Sequence, residues 1–72
     1  MSSTISKSNI AKNIKKLRQK KGISQDRLSK LADLSLNTIV NVEVGNNSNP
    51  TIETLEKIAK ALDVSVDGLL RK

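Results

Sequence analysis

The chain has 72 residues, 36% of them hydrophobic, so it has room for one small domain, which buries only about 60% of the surface that the unfolded chain exposes. It contains no cysteine and no histidine, and we therefore expect no enzymatic activity, metal or cofactor. Its length leaves no room for a separate ligand-sensing domain, so we also expect no small-molecule ligand. The net charge is +6, and the cations are concentrated in residues 1–36, which hold nine Lys or Arg and two Asp. This asymmetric distribution of charge favours a protein that binds a polyanion with one side of its surface, although a solvated lysine-rich helix face explains it equally well.

The N-terminal eight residues are rich in Ser and Thr and show no apolar periodicity, which predicts a mobile arm (1–8) before one domain (9–72). They lack the apolar core of a signal peptide. No run elsewhere approaches the roughly 18 apolar residues that cross a bilayer. We therefore expect a cytoplasmic protein that does not enter a membrane.

A first helix is predicted from Ser8 or Asn9 to Gly22, because apolar residues recur at helical spacing and glycine commonly ends a helix. The apolar positions are Ile10, Ile14 and Leu17. The opposite side is polar and mostly cationic, with Lys12, Lys15, Lys16, Gln19 and Lys20.

Two serines, Ser24 and Ser35, are each placed to cap a short helix, with residues 32–34 as a tight turn between the two helices. Two short helices joined by such a turn are typical of the DNA-reading helix-turn-helix. The second helix of this pair begins Leu36-Asn37-Thr38. An apolar group, an amide and a hydroxyl would thus enter the groove first, and all three can read base edges.

Residues 39–44 present a conflict, because they alternate apolar and polar side chains like a strand and are rich in valine. No second strand follows, since Ile52, Leu55 and Ile58 keep a helical period, and an unpaired strand would leave its backbone donors open. We therefore predict a third helix, in which tertiary context overrides propensity.

The remaining chain is predicted to contain a polar loop from Gly45 to Pro50, a fourth helix capped by Thr51 and a short fifth helix capped by Ser65. The loop amides Asn46 and Asn47 are candidates to contact a sugar-phosphate backbone, with an ordinary connecting loop as the equal alternative. The predicted fold is all-α, a compact domain of five helices.

The chain resembles the lambda-repressor-like helix-turn-helix regulators, also called the Cro, phage-repressor or XRE family. The residues that carry the resemblance lie between Ile10 and Leu70 and include Lys21-Gly22-Ile23-Ser24-Gln25, Leu28, Ala32, Leu34-Ser35, Ile39, Glu43, Gly45, Pro50-Thr51 and Ala61-Leu62-Asp63-Val64-Ser65. Asp33, Ser29 and Val42 depart from the usual pattern, where glycine, alanine and a larger side chain are common.

The resemblance implies a role for several residues. Gln25 matches a glutamine that touches the DNA backbone, and Arg18 and Glu43 match an ion pair between the first and third helices. The positions that face the groove are matched by Ser35, Leu36, Asn37, Thr38 and Asn41. We expect Leu36, Asn37, Thr38 and Asn41 to read bases, and Ser35, Gln25 and whichever of Lys12, Lys16 and Lys20 face the duplex to hold the backbone.

These observations predict a sequence-specific regulator of transcription, a repressor, that binds a pseudo-palindromic operator in double-stranded DNA as a homodimer. The candidate dimer contacts are Val66, Leu69 and Leu70, although the same residues could close the monomer core. The alternative is a helical protein-interaction module, such as an antitoxin-type or accessory factor, for which DNA binding is secondary.

Overall fold

The structure is a computed structural model that describes residues 7–45 and 50–71, with side chains from Asn9 onward. Within these ranges the chain forms five helices and no strand, which confirms the all-α prediction. The helices are α1 (Lys7–Lys21), α2 (Gln25–Ala32), α3 (Leu36–Val44), α4 (Ile52–Ala61) and α5 (Val66–Leu70). Residues 1–6 of the predicted arm, the loop amides Asn46 and Asn47 and the terminal Lys72 lie outside the described residues.

Helix α1 begins at Lys7, inside the predicted arm and one or two residues before the predicted start. A difference of this size is the amount by which helix ends ordinarily fray. The helix ends as predicted before Gly22, whose φ of 72° is in the left-handed region that glycine adopts without steric cost.

The other four helices begin at the predicted hydroxyl caps. The side-chain oxygen of Ser24 accepts a hydrogen bond from the N–H three residues later at 3.0 Å, and the corresponding distances are 3.1 Å for Ser35, 3.1 Å for Thr51 and 3.3 Å for Ser65. Each cap satisfies one of the donors that a helix start leaves open and contributes about 1 kcal/mol.

The predicted turn between α2 and α3 is made by Asp33, which adopts a left-handed conformation with φ 59° and ψ 45°. The N–H of the next residue, Leu34, donates to the carbonyl of Ser29 at 2.9 Å, so the turn satisfies carbonyls left open at the end of α2. The sharp reversal fixes the angle at which α3 leaves α2.

The core is aliphatic, because the chain has no aromatic residue, and every helix contributes one fully buried large side chain. These side chains are Ile14, Leu28, Ile39, Ile58 and Leu69. Of the two neighbours Leu31 and Ala32 on α2, Ala32 is buried, whereas Leu31 is 48% exposed.

The prediction that Leu69 is a candidate dimer contact requires a correction. Its side chain is completely buried inside the monomer, where it joins the cluster formed by the other four helices. It therefore closes the monomer core, the alternative that the sequence left open. Val66 and Leu70 are half-buried, pack against the same cluster and keep part of their surface accessible.

Candidate nucleic-acid interface

Helix α3 has one exposed side that carries two amides. Asn37 and Asn41 are both exposed and stand four residues apart, so they lie one above the other on the same face of the helix. The opposite side, formed by Ile39, Val42 and Glu43, is buried. The core therefore fixes the rotation of α3 and directs both amides outward.

The first turn of α3 is ordered by its own hydroxyls. The Ser35 Oγ accepts a hydrogen bond from the Thr38 N–H at 3.1 Å and lies 2.8 Å from the Thr38 Oγ1. The half-buried Thr38 hydroxyl is thus already engaged with the cap, while the next residue after the cap, Leu36, is 44% exposed. Leu36, Asn37 and Asn41 are therefore exposed side chains of α3 that the cap does not engage.

The expected ion pair between α1 and α3 is present and is part of a larger network. Arg18 Nε donates to Glu43 Oε2 at 2.6 Å, and a second guanidinium nitrogen donates to Oε1 at 3.1 Å. The Arg18 guanidinium also donates to the carbonyl of Ile23 at 2.8 Å. With side-chain exposures of 12% for Arg18 and 2% for Glu43, the pair is shielded from solvent.

Gln25, the first residue of α2, belongs to the same network. Its Nε2 donates to Glu43 Oε1 at 3.1 Å, which holds the side chain at the point where α1, α2 and α3 meet. The amide has a second N–H and a carbonyl oxygen, so this hydrogen bond leaves it able to bind another group. We call Arg18, Glu43 and Gln25 the corner network.

The three lysines proposed for the DNA backbone, Lys12, Lys16 and Lys20, are exposed on α1. In the part of the chain that the structure describes, none of them has an ion-pair partner, so their charges are not neutralised by a neighbouring carboxylate.

One contact escaped the sequence analysis entirely. The Nδ2 of Asn13 on α1 donates to the carbonyl of Leu69 at 2.9 Å and also to the carbonyl of Arg71. Its side chain therefore binds carbonyls at the end of α5, more than fifty residues away along the chain. No local pattern in the sequence signals a pairing of this kind.

Within residues 7–45 and 50–71, no helix is long and apolar enough to cross a membrane. Among the same residues, no three acidic side chains come together as a group that could hold a metal ion.

Two short capped helices joined by a tight turn, with amides on the outer face of the second helix, define a helix-turn-helix domain. The model of the helix-turn-helix family HTH_3 matches residues 14–69, and the chain belongs to this family. The resemblance recognised in the sequence is thereby confirmed.

Similar proteins include the HTH-type transcriptional regulator SinR of Bacillus licheniformis, which is 36% identical over 63 residues covering 88% of this chain. The alignment covers 57% of that relative, so the chain spans little more than half of its length. Among solved structures, the N-terminal DNA-binding domain of SinR from Bacillus subtilis has a TM-score of 0.82 and 36% identity over 88% of this chain and 91% of that one. The restriction-modification controller protein C.AhdI from Aeromonas hydrophila has a TM-score of 0.83 and 30% identity over 88% of this chain and 94% of that one.

Proposed function

We propose that this protein is a sequence-specific regulator of transcription, a repressor, which places α3 in the major groove of double-stranded DNA in the cytoplasm. The observation that carries the proposal is the pair of exposed amides, Asn37 and Asn41, on the outer face of a helix whose inner face is locked into the core. The relatives named above as a transcriptional regulator and as a DNA-binding domain support the same function.

The outer face of α3 has the chemistry to read A·T pairs. An asparagine amide can accept from adenine N6 and donate to N7 as a bidentate pair, and an apolar side chain such as Leu36 can contact the thymine methyl group. The Thr38 hydroxyl shares a hydrogen bond with the Ser35 hydroxyl, and when Ser35 is the donor the Thr38 O–H can donate to a base acceptor or to a phosphate oxygen. Part of the operator is therefore expected to be A·T-rich.

The backbone contacts are assigned to groups beside α3 that carry little sequence information. Gln25 offers the amide atoms that the corner network leaves open, and Ser35 lies at the N-terminal end of α3, whose dipole favours a phosphate. The cationic side of α1 adds charge that releases counterions from the duplex. Asn46 and Asn47 remain candidates for contacts with the DNA backbone, because they follow α3 directly in the sequence.

The operator is proposed to be a pseudo-palindrome bound by two chains. One recognition helix reads only a few base pairs, so specificity requires a second helix about 34 Å away across a twofold axis. The accessible parts of Val66 and Leu70 are the proposed contact, since Leu69 is committed to the monomer core. Sedimentation of the complex with an operator should give two chains per duplex, and one chain at saturation would contradict the dimer.

The test of base reading is a selection of bound sequences from random duplexes, carried out with the wild type and with Asn37→Ala and Asn41→Ala. Each variant should lose about 1 to 3 kcal/mol on the selected site and little on random DNA, because only contacts to base edges distinguish sequences. The matched control is Gln19→Ala, which removes an exposed amide from α1 and should leave the selected sequence unchanged.

If both asparagine variants keep the wild-type sequence preference and affinity, α3 does not read the site as proposed. If the wild type itself selects no sequence, the better interpretation is the helical protein-interaction module, in which DNA binding is secondary. A mobility assay titrated with salt separates the two cases, because purely electrostatic binding shows the salt dependence without the preference.

A further inference from the structure

Helix α1 packs against two different helices along two different flanks. On one flank, Arg18 binds Glu43 of α3, and a Cβ built on Gly45 at the end of α3 would lie 3.5 Å from the Cβ of Ala11. On the other flank, Asn13 binds the carbonyl of Leu69 in α5. We call these sides of α1 the α3 flank and the α5 flank.

The spacing of the lysines along α1 decides which flank each one occupies. Residues three and four apart share a face of a helix, and the helix turns about 100° per residue. Lys15 is four residues after Ala11 and three before Arg18, so it belongs to the α3 flank. Lys20 is seven residues after Asn13, two turns along the same side, and belongs to the α5 flank.

Lys15 is also free to act on a ligand. It is exposed, and within residues 9–45 and 50–71 it makes no ion pair, since the one carboxylate known to face this flank, that of Glu43, is bound by Arg18 and Gln25. Lys15 therefore lies beside the α1–α3 contact, and no carboxylate of the described residues neutralises its charge.

The corner network links this flank to the proposed backbone contacts. Gln25 and Arg18 bind the same carboxylate, so the start of α2 lies beside Arg18, and Lys15 is three residues, about 4.5 Å of helix rise, from Arg18. A helix in the major groove, about 12 Å wide, has a sugar-phosphate backbone on either side, and elements that flank it meet these backbones.

We infer that Lys15 binds a phosphate of the DNA backbone next to the one held by Gln25, and that Lys20, on the α5 flank, binds none. The inference rests on the proposed function and adds a residue that the sequence analysis did not assign to the DNA backbone. The sequence pattern placed Lys15 and Lys20 on the same polar side of α1, whereas the packing of α1 against two helices places them on different flanks.

The experiment compares the wild-type protein with the variants Lys15→Gln and Lys20→Gln, all as the full chain. Each variant removes one positive charge from α1. Fluorescence anisotropy would give the affinity for a random duplex and for a selected duplex at salt concentrations from 50 to 300 mM. Loss of one phosphate contact lowers the slope of log affinity against log salt by about 0.9. Lys15→Gln should show this change on both duplexes, with affinity at 0.1 M salt reduced roughly five- to tenfold, and Lys20→Gln should keep the wild-type slope.

Each other outcome has a distinct meaning. A wild-type slope for Lys15→Gln, or an equal decrease for both variants, overturns the inference and leaves the proposed function intact. An altered sequence preference in Lys15→Gln also overturns it, because a phosphate contact carries no base information. A wild type that binds neither duplex refutes the proposed function and the inference together. Circular dichroism of both variants should match the wild type, since both lysines are exposed.

Discussion

The ion pair between Arg18 and Glu43 should be one of the most sensitive points of the fold. Replacing Arg18 by Met removes two hydrogen bonds to the Glu43 carboxylate, at 2.6 and 3.1 Å, and the one to the Ile23 carbonyl at 2.8 Å. The carboxylate, whose side chain is 2% exposed, would keep only the hydrogen bond from Gln25. A buried charge that has lost its partner has a large desolvation cost.

The expected loss follows from this burial. Breaking a buried pair costs about 3 to 5 kcal/mol. Glu43 is buried but Arg18 keeps 12% of its side chain exposed, so we expect Arg18→Met to cost an amount near the lower end of that range. A domain of this size has a free energy of unfolding of roughly 4 to 11 kcal/mol. The loss would therefore lower the melting temperature by more than about 12 °C.

Urea denaturation and thermal melting of the wild type and the variants would measure this loss. The matched control is Lys30→Met, which breaks a pair with Asp26 of similar length, 3.2 Å, but with side-chain exposures of 70% and 57%. An exposed pair of this kind contributes less than about 1 kcal/mol. The double variant Arg18→Met with Glu43→Leu should recover most of the stability, because it leaves neither charge buried.

Two results would refute this reasoning. If Arg18→Met and Lys30→Met destabilise the domain equally, burial does not amplify the interaction. If the double variant is as unstable as Arg18→Met, the loss comes from packing of the arginine side chain rather than from the stranded carboxylate.

Three further predictions concern stability, each measured by urea denaturation. Asp33→Gly should raise the free energy of unfolding by about 0.5 to 1 kcal/mol, because glycine adopts φ 59° without the steric cost that aspartate bears; an unchanged or lower value would contradict this. Asn13→Ala should lower it by about 1 to 2 kcal/mol, because the carbonyl of Leu69 loses its amide donor, and hydrogen exchange should rise first in α5. Leu69→Ala should cost about 2 to 5 kcal/mol at any protein concentration, whereas a loss that grows on dilution would return this residue to a dimer interface.

Helix positions and their starts could be predicted from the sequence because the signals are local. A serine or threonine cap acts on an N–H three residues away, and all four caps, from Ser24 to Ser65, form as their positions indicated. The left-handed turn at Asp33 is equally local. Once residues 36–44 are assigned to a helix, the helical period predicts that Asn37 and Asn41 share one face of it.

The remaining features depend on how the helices meet, which no local pattern contains. Leu31 and Ala32 are neighbours at the edge of one apolar stripe, and only the assembled fold buries Ala32 in the core while leaving Leu31 48% exposed. Leu69 and Leu70 differ in the same way. Packing of α1 between α3 and α5 creates the contact of Asn13 with α5. The same packing places Lys15 and Lys20 on different flanks of α1.

Helix α3 shows most directly how local preference and tertiary structure compete in this domain. Its β-branched residues disfavour a helix by some tenths of a kcal/mol each, and the strand-like alternation of residues 39–44 is real. Burial of Ile39 and Val42 contributes about 1.5 to 3 kcal/mol per side chain, and the Ser35 cap adds about 1. These contributions exceed the propensity cost, so the segment is helical because of what it packs against. The same contacts that make α3 a helix also set its rotation, and the orientation of the proposed reading face is therefore a property of the core.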